Sequence, residues 1–321
     1  MASDQTFDPA IQSEDIAFRS DELVKCDRCG RTNPPNRLEC IYCGAALAVA
    51  ADAVDKFTLR KLESWEPGTN IVITGGNGDK DRASDLLSLE GDQLAGILAS
   101  DVALPVARVD EKAAAVVEAK LADAGYETRT VTDAELDLAK LPVRLSGMEF
   151  GGDGLTVIDF NTRERATHAW NELLLVVTGI FSSGKIDATE KRKLRKTTTS
   201  SETTTSADEG VFDLYTLSDV TGYRVQLAGF DYSCLGDKMT PLATENMSRL
   251  VEELRTRSEA KVVDSYRSIR HLLVGIWDIE SRTDPKGLHQ TGFGKREFGV
   301  VHSTNNVEQF TRFSRLQRVM L

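Results

Sequence analysis

The sequence of residues 26–44 is CDRCGRTNPPNRLECIYCG, and it holds four of the chain's five cysteines. They form two C-x-x-C pairs separated by ten residues, Cys26 with Cys29 and Cys40 with Cys43. A C-x-x-C turn points two thiolates at one ion, and four thiolates complete the tetrahedral shell that zinc prefers. The spacing therefore predicts that these four cysteines bind one zinc ion.

The predicted zinc site is structural, because four thiolates leave the ion no open position for water or substrate. Two disulfides and four unligated thiols are the alternative states of these cysteines. In a reducing compartment clustered cysteines bind metal more often than they pair, and their position at one end of the chain argues against a disulfide framework for the whole fold. Zinc is therefore the favoured interpretation.

The cysteine pattern resembles two families of small zinc domains. With Gly30 and Gly44 after the pairs it is similar to bacterial zinc ribbons. With Asn33 four residues after the first pair, it also resembles the Ran-binding-protein zinc finger. RNA-binding members of that second family carry a tryptophan just before the first cysteine, where this chain has Val24 and Lys25. This departure weakens the hypothesis that the ribbon binds RNA.

The charge of the chain opposes binding to polyanions. The formal net charge is -11, with 50 acidic and 39 basic residues, so nucleic acid and anionic lipid repel the chain as a whole. Within residues 25–43, two acidic residues and the charge of a zinc tetrathiolate offset the four basic residues Lys25, Arg28, Arg31 and Arg37. Nucleic-acid binding is therefore disfavoured, and solvated surface arginines are the expected state of these side chains.

Length and composition indicate a multidomain protein. The 321 residues are 40% hydrophobic, enough for two or three modest cores. The N-terminal residues are acidic and lack the apolar segment of a secretory signal. The longest apolar runs, such as NELLLVVTGIF at 171–181, are shorter than the roughly 20 residues of a transmembrane helix. We therefore expect a cytoplasmic protein without a membrane span.

Composition and periodicity divide the chain into four predicted parts. They are a disordered acidic arm at 1–24, the zinc ribbon at 25–46, a small α/β domain at 56–137, and a β-rich domain with packed C-terminal helices at 142–321. The predicted fold class is α+β, with a mainly antiparallel sheet in the last part. A sheet followed by an amphipathic helix is similar in element order to a pleckstrin-like module.

The predicted elements of 56–137 follow the order strand, helix, helix, strand, helix, strand. This order, with VEAKLADAGYETRTV at 117–131, resembles the C-terminal domain of the bacterial ribosomal stalk protein and the related Clp protease adaptor. The resemblance implies a docking module that binds other proteins and performs no chemistry. The nearby glycines of ITGGNGDKD at 73–81 match no nucleotide-binding motif, so we expect a turn that ends a strand.

Two segments of the last part, 185–210 and 305–321, differ in composition from the rest of it. Residues 185–210 are polar and low in complexity, which predicts a flexible insertion. The basic patch at Lys191–Lys196 is expected to be solvated or to contact an acidic partner, and Thr197–Ser206 is a candidate for phosphorylation. Residues 305–321, NNVEQFTRFSRLQRVML, alternate aromatic and basic residues, and predict a helix that docks on the chain's own core or on a partner.

The rest of the sequence shows no catalytic pattern. Its four histidines are scattered, at His168, His271, His289 and His302. Cys234 has apolar and aromatic neighbours, which favours a buried thiol over a nucleophile. The expected function is therefore a non-enzymatic, zinc-binding adaptor or regulatory scaffold with protein partners. The alternatives are a nucleic-acid-binding regulator that uses the ribbon arginines and the Lys191–Lys196 patch, and an enzyme with a pocket around Cys234 or His168.

Overall fold

A computed structural model describes residues 23–34, 37, 40–45, 47, 59–63, 65–193, 196–217, 221–292 and 295–321. The chain divides into two compact units, Met1–Arg60 and Lys61–Leu321. Helices and strands are both abundant, so the predicted α+β class is confirmed at this broad level. The predicted acidic arm at 1–24 lies outside the described residues except for its last two positions. No helix in the described part of the chain is long and apolar enough to cross a membrane.

In the described part of the first unit, β1 (Val24–Lys25) and β2 (Thr32–Asn33) form a short antiparallel hairpin. Its only buried apolar cluster among the described residues comprises Cys26, Cys40 and Leu47, with Val24, Cys43 and Ala45 packed around it. A cluster of this size buries too little apolar surface to fold the segment alone. The fold of the described residues of this unit therefore depends on what the cysteines bind.

The second unit begins with a three-stranded antiparallel sheet and three helices, in the order that the sequence predicts. The elements are β3 Thr69–Gly76, α1 Lys80–Leu87, α2 Gly91–Leu98, β4 Pro105–Val109, α3 Glu111–Asp123 and β5 Tyr126–Thr132. The strand order is β4-β3-β5. The strand β3 ends at Gly76, whose φ of 98° lies in the region that favours glycine. The glycine run therefore ends the strand, as expected.

A nine-stranded sheet and three helices form the rest of the second unit. They are β6 Val143–Phe150, β7 Gly154–Asp159, β8 Arg165–Ala169, β9 Leu173–Lys193, β10 Lys196–Thr216, β11 Tyr223–Gln226, α4 Ala243–Arg257, β12 Lys261–Val263, α5 Tyr266–Ile269, β13 Glu280–Gly292, β14 Lys295–Asn305 and α6 Val307–Val319. The strand order is β13-β14-β9-β10-β11-β6-β7-β8, and β12 pairs with β9. Most pairs are antiparallel, whereas β6 with β11 and β9 with β12 are parallel.

The segment 185–210 was expected to be a flexible insertion, and this prediction is wrong for the residues described. Its two halves belong to β9 and β10, which pair with each other from Leu173 to Lys193. The strand β14 pairs with the other edge of β9, from Ser183 to Lys193. Threonine is β-branched and favours extended backbone, so the Thr-rich composition is compatible with a strand once partners are present.

The C-terminal helix α6 is buried on all sides. Every residue from Gln309 to Gln317 is buried. Its aromatic face packs on β9, where Phe310 meets Phe181 edge-on at 5.7 Å between ring centroids. A Cβ atom at Gly179 would lie 2.2 Å from a ring carbon of Phe310, so this strand position requires glycine. The helix docks on the chain's own core, which is the first of the two predicted alternatives.

The polar face of α6 contacts the α/β segment. Arg315, which is fully buried, donates to the carbonyl of Leu136 at 2.9 Å and to the carbonyls of Asp137 and Lys140. Gln317 exchanges two hydrogen bonds with the backbone of Ala103. The contacts of α6 therefore join the predicted domains at 56–137 and 142–321, whose residues from Lys61 onward form one compact unit.

Asp133 is the electrostatic centre of this joint. Its carboxylate accepts hydrogen bonds from Asn70 at 3.0 Å, from the backbone N–H of Gly68 at 2.9 Å, from Arg108 at 2.6 Å and from Arg312 at 2.8 Å. Burial opposes ionisation, but the hydrogen bonds from Arg108 and the charge of Arg312 outweigh it and hold the pKa of Asp133 below its ordinary value. The joint therefore requires an ionised carboxylate.

We predict that Asp133→Asn destabilises the second unit by about 3–5 kcal/mol, because it leaves buried guanidinium groups without their shared counter-charge. A carboxyl group whose pKa is lowered in the folded state stabilises the fold at pH values above its unfolded-state pKa, which is about 4 for aspartate. That stabilisation is lost as the pH falls through the folded-state pKa. Wild-type unfolding temperature should therefore drop more steeply than that of Asp133→Asn below about pH 4.

The matched control is Asp284→Asn, which breaks an exposed ion pair with Arg282 at 2.8 Å. This change should alter the unfolding free energy by less than about 0.5 kcal/mol. Circular dichroism melts across pH measure both variants. Equal melting profiles for the two variants would contradict the role assigned to Asp133.

Candidate metal centre

The first cysteine pair sits on a tight backbone turn. The N–H of Gly30 donates to the carbonyl of Cys26 at 2.8 Å, and the N–H of Cys26 donates to the carbonyl of Arg31 at 2.9 Å. Gly30 has a φ of 71°, which glycine adopts without strain. The turn folds the chain back on itself and brings the sulfurs of Cys26 and Cys29 to one side.

The second cysteine pair repeats this geometry. The N–H of Gly44 donates to the carbonyl of Cys40 at 2.9 Å, and the N–H of Cys40 donates to the carbonyl of Ala45 at 2.8 Å. Gly44 has a φ of 67°. Both C-x-x-C-G stretches therefore form the same hydrogen-bonded turn.

The four cysteine sulfurs lie within 4.8 Å of one another, close enough to bind one metal ion. The sulfurs of Cys26 and Cys43 are 3.7 Å apart, and those of Cys29 and Cys40 are 3.4 Å apart. A tetrahedral ion with metal–sulfur bonds of about 2.3 Å, the length of a zinc–sulfur bond, separates its ligands by about 3.8 Å. The predicted residues are thus brought together in a geometry that fits a tetrathiolate metal centre.

Asn33 links the two turns. Its side chain is fully buried, donates to the carbonyl of Arg31 at 3.0 Å and accepts from the N–H of Ile41 at 2.9 Å. It therefore fixes the second turn against the first, as the outer hydrogen bonds around a metal site orient its ligands. The sequence pointed to Asn33 only through a resemblance to zinc fingers, and the hydrogen bonds give the physical reason for its position.

The thiols differ in their tendency to ionise. Burial opposes ionisation of Cys40, but hydrogen bonds from the backbone N–H groups of Tyr42 and Cys43 lower its pKa to about 6. A hydrogen bond from the Arg31 backbone favours the thiolate of Cys29, yet burial and the neighbouring sulfurs outweigh it and raise the pKa of Cys29 to about 12. Four crowded sulfurs do not ionise together without a cation between them.

Within the described residues, the four cysteines are the one group of three or more Cys, His, Asp or Glu side chains placed to hold a metal ion. Cys234 packs against the core of the nine-stranded sheet. Burial raises the pKa of its thiol to about 11, with a further contribution from Asp231. A thiol with a raised pKa is a poor nucleophile at neutral pH.

The described histidine side chains make separate local contacts. His168 lies 2.8 Å from the hydroxyl of Tyr223, and His302 lies 2.8 Å from the hydroxyl of Thr283. The side chain of His289 lies outside the part of the chain that the structure describes. Cys234 is not the partner of either histidine in these contacts.

Three cavities of the second unit have volumes of about 970, 900 and 590 Å³. The cavity of about 970 Å³ is lined by residues of the sheet and of α4, among them Met247, Val251 and Arg255. Neither Cys234 nor His168 lines any of the three. The pocket that the enzyme alternative places around these two residues is not among them.

A comparison of the chain with protein families, with curated proteins and with solved structures finds no match.

We predict that the purified chain carries about one zinc ion and that Cys40→Ser abolishes its retention, because three thiolates and a hydroxyl bind zinc more weakly. The control Cys234→Ser removes the cysteine outside the centre and should keep the full metal content. Elemental analysis by mass spectrometry measures both. Zinc retained by Cys40→Ser, or lost from Cys234→Ser, would refute the assignment of the ligands.

Proposed function

We propose that this chain is a non-enzymatic adaptor whose zinc ion is structural and whose ribbon docks on a partner protein. The observation that supports this most is the closed arrangement of four sulfurs around one position. A tetrathiolate zinc ion has no place for substrate, so its contribution is to fold the ribbon and hold its surface in shape. Cysteine ligands persist in a reducing compartment, which favours action in the cytoplasm.

The second turn of the ribbon presents an apolar surface. Ile41 and Tyr42 lie between the cysteines of the second pair and are 55% and 53% exposed. The guanidinium of Arg31 lies 4.7 Å from the centre of the Tyr42 ring. Tyrosine and arginine are the residue types that dominate binding energy at protein interfaces. We name Arg31, Ile41 and Tyr42 the knuckle surface.

The residues around the knuckle surface favour a protein partner with an apolar contact. Lys25, Arg28 and Arg31 are exposed on the ribbon, with Asp27 among them. The whole ribbon is close to neutral once a zinc tetrathiolate is counted, so phosphate attraction has little to act on. The sequence resemblance of 56–137 to docking modules points in the same direction.

The test is affinity capture with the full-length, zinc-loaded chain from its own cell extract after nuclease treatment. The variant Ile41→Ser/Tyr42→Ser removes the apolar surface and keeps the backbone bonds of the turn. The control Met239→Ser/Leu242→Ser removes a comparable exposed pair from the second unit, where the two side chains are 53% and 63% exposed. Both variants should retain zinc.

We expect a stoichiometric protein partner that the wild type and the control variant capture equally and that the knuckle variant captures at least about ten-fold less. Equal capture by the knuckle variant would contradict docking through the ribbon. Partners captured from an untreated extract, but not after nuclease treatment, would show that the chain binds nucleic acid instead.

A further inference from the structure

The cavity of about 970 Å³ lies on the face of the nine-stranded sheet opposite α6. Thr178 and Ile180 of β9 line it, and so do their partners in register on β10, Phe212 and Gly210. Opposed residues share one face of a sheet, and successive residues of a strand alternate between faces. Because Phe181 packs on α6, its neighbour Ile180 faces the other way. The cavity is therefore separate from the contacts that bury α6.

One face of α4 provides a second side of the cavity. The helix residues that line it recur at intervals of three and four, and they are Thr244, Met247, Ser248, Val251, Glu252 and Arg255. Residues at these spacings share one face of a helix. Leu250 and Leu254 of the same helix are fully buried in the core of the sheet. The helix thus packs on the sheet through one side and lines the cavity with the adjacent side.

Burial separates the lining residues by their chemistry. The buried ones are all apolar and include Phe212, Met247 and Ala260. The charged ones are all exposed, and they are Asp208, Glu252, Arg255, Asp264 and Arg267. The interior of the cavity is therefore apolar, and its charges lie on the solvent side. Sites for small molecules have this composition, with volumes of about 300–1,000 Å³.

The charges on the solvent side favour a cation. Glu252 accepts two hydrogen bonds from Arg255, at 2.9 and 2.8 Å, so the charges of these two side chains offset each other. The carboxylates of Asp208 and Asp264 then outnumber the guanidinium of Arg267. The net charge of the chain, -11, has the same sign as this excess. A cationic ligand is attracted to the cavity, whereas an anionic one is repelled.

We propose that this cavity binds a cationic amphipathic small molecule. Its apolar body lies against Phe212, Met247 and Val251, and its ammonium group lies among the carboxylates on the solvent side. The proposal is independent of the ribbon and of its protein partner, because it rests on another unit of the chain.

The experiment is isothermal titration calorimetry of the full-length chain with two probes of the same length, dodecylammonium chloride and sodium dodecanoate, each below its micellar concentration. We expect dodecylammonium to bind at one site and dodecanoate to bind at least about ten-fold more weakly. Added salt should weaken the binding of dodecylammonium. No binding of dodecylammonium would overturn the proposal, and dodecanoate that binds as tightly would overturn the assignment of a cationic ligand.

The variant Ser248→Trp tests the location of the site. Ser248 is exposed on the face of α4 that lines the cavity, so a tryptophan there occupies the volume of the ligand. The control, Ala119→Trp, adds the same side chain at an exposed position of α3, which does not line the cavity. We expect dodecylammonium to bind Ser248→Trp at least about ten-fold more weakly and the control as tightly as the wild type. Equal binding by Ser248→Trp would overturn the assignment of the cavity.

The variant Asp208→Asn/Asp264→Asn tests the role of the two carboxylates. The control, Asp101→Asn/Asp123→Asn, removes the same net charge from exposed positions elsewhere in the unit. We expect the test variant to bind dodecylammonium about ten-fold more weakly and dodecanoate more tightly, whereas the control matches the wild type with both probes. A damaged cavity would weaken both probes together, so opposite changes identify a charge effect. Equal changes in the test and control variants would overturn the role of these carboxylates.

Discussion

The burial of α6 on every side is the constraint on which the second unit depends. Its aromatic side chains fill the space against β9, and its arginine and glutamine side chains reach polar groups of the α/β segment. Buried polar side chains need hydrogen-bond partners, because an unsatisfied buried donor costs more free energy than its hydrogen bond supplies. Both terminal nitrogens of Arg315 have such partners, whereas its Nε has none among the described residues. Two stretches that resemble separate domains in the sequence consequently share one helix within one compact unit.

The first unit has a different source of folding free energy. Its described residues bury too few apolar side chains to supply the free energy of folding. A metal ion bound by the four cysteines would supply it and would hold the two turns together. Asn33 is buried and hydrogen-bonds to Arg31 and Ile41, and so it links the two turns.

Local patterns were predictable from the sequence, and long-range pairing was not. The cysteine turns and the elements from β3 to β5 follow from spacing, periodicity and glycine positions within short windows. The strands in 185–210 were missed because composition suggested a loop, whereas β14, about one hundred residues later, pairs with this stretch. The partners of Arg315 lie about 175 residues away, so no local pattern shows whether its helix is half-exposed or fully buried. Asn33 was identified only through the resemblance of the cysteine pattern to a family of zinc fingers.

X-ray absorption at the zinc edge of the full-length protein tests the central claim, a closed tetrathiolate centre, most directly. Four sulfur neighbours at about 2.3 Å, with no oxygen or nitrogen in the shell, are the result that the account predicts. A shell in which an oxygen or nitrogen replaces one of the sulfurs would show an open or exchangeable position. That result would contradict the structural role of the metal and reopen the question of catalysis at the ribbon.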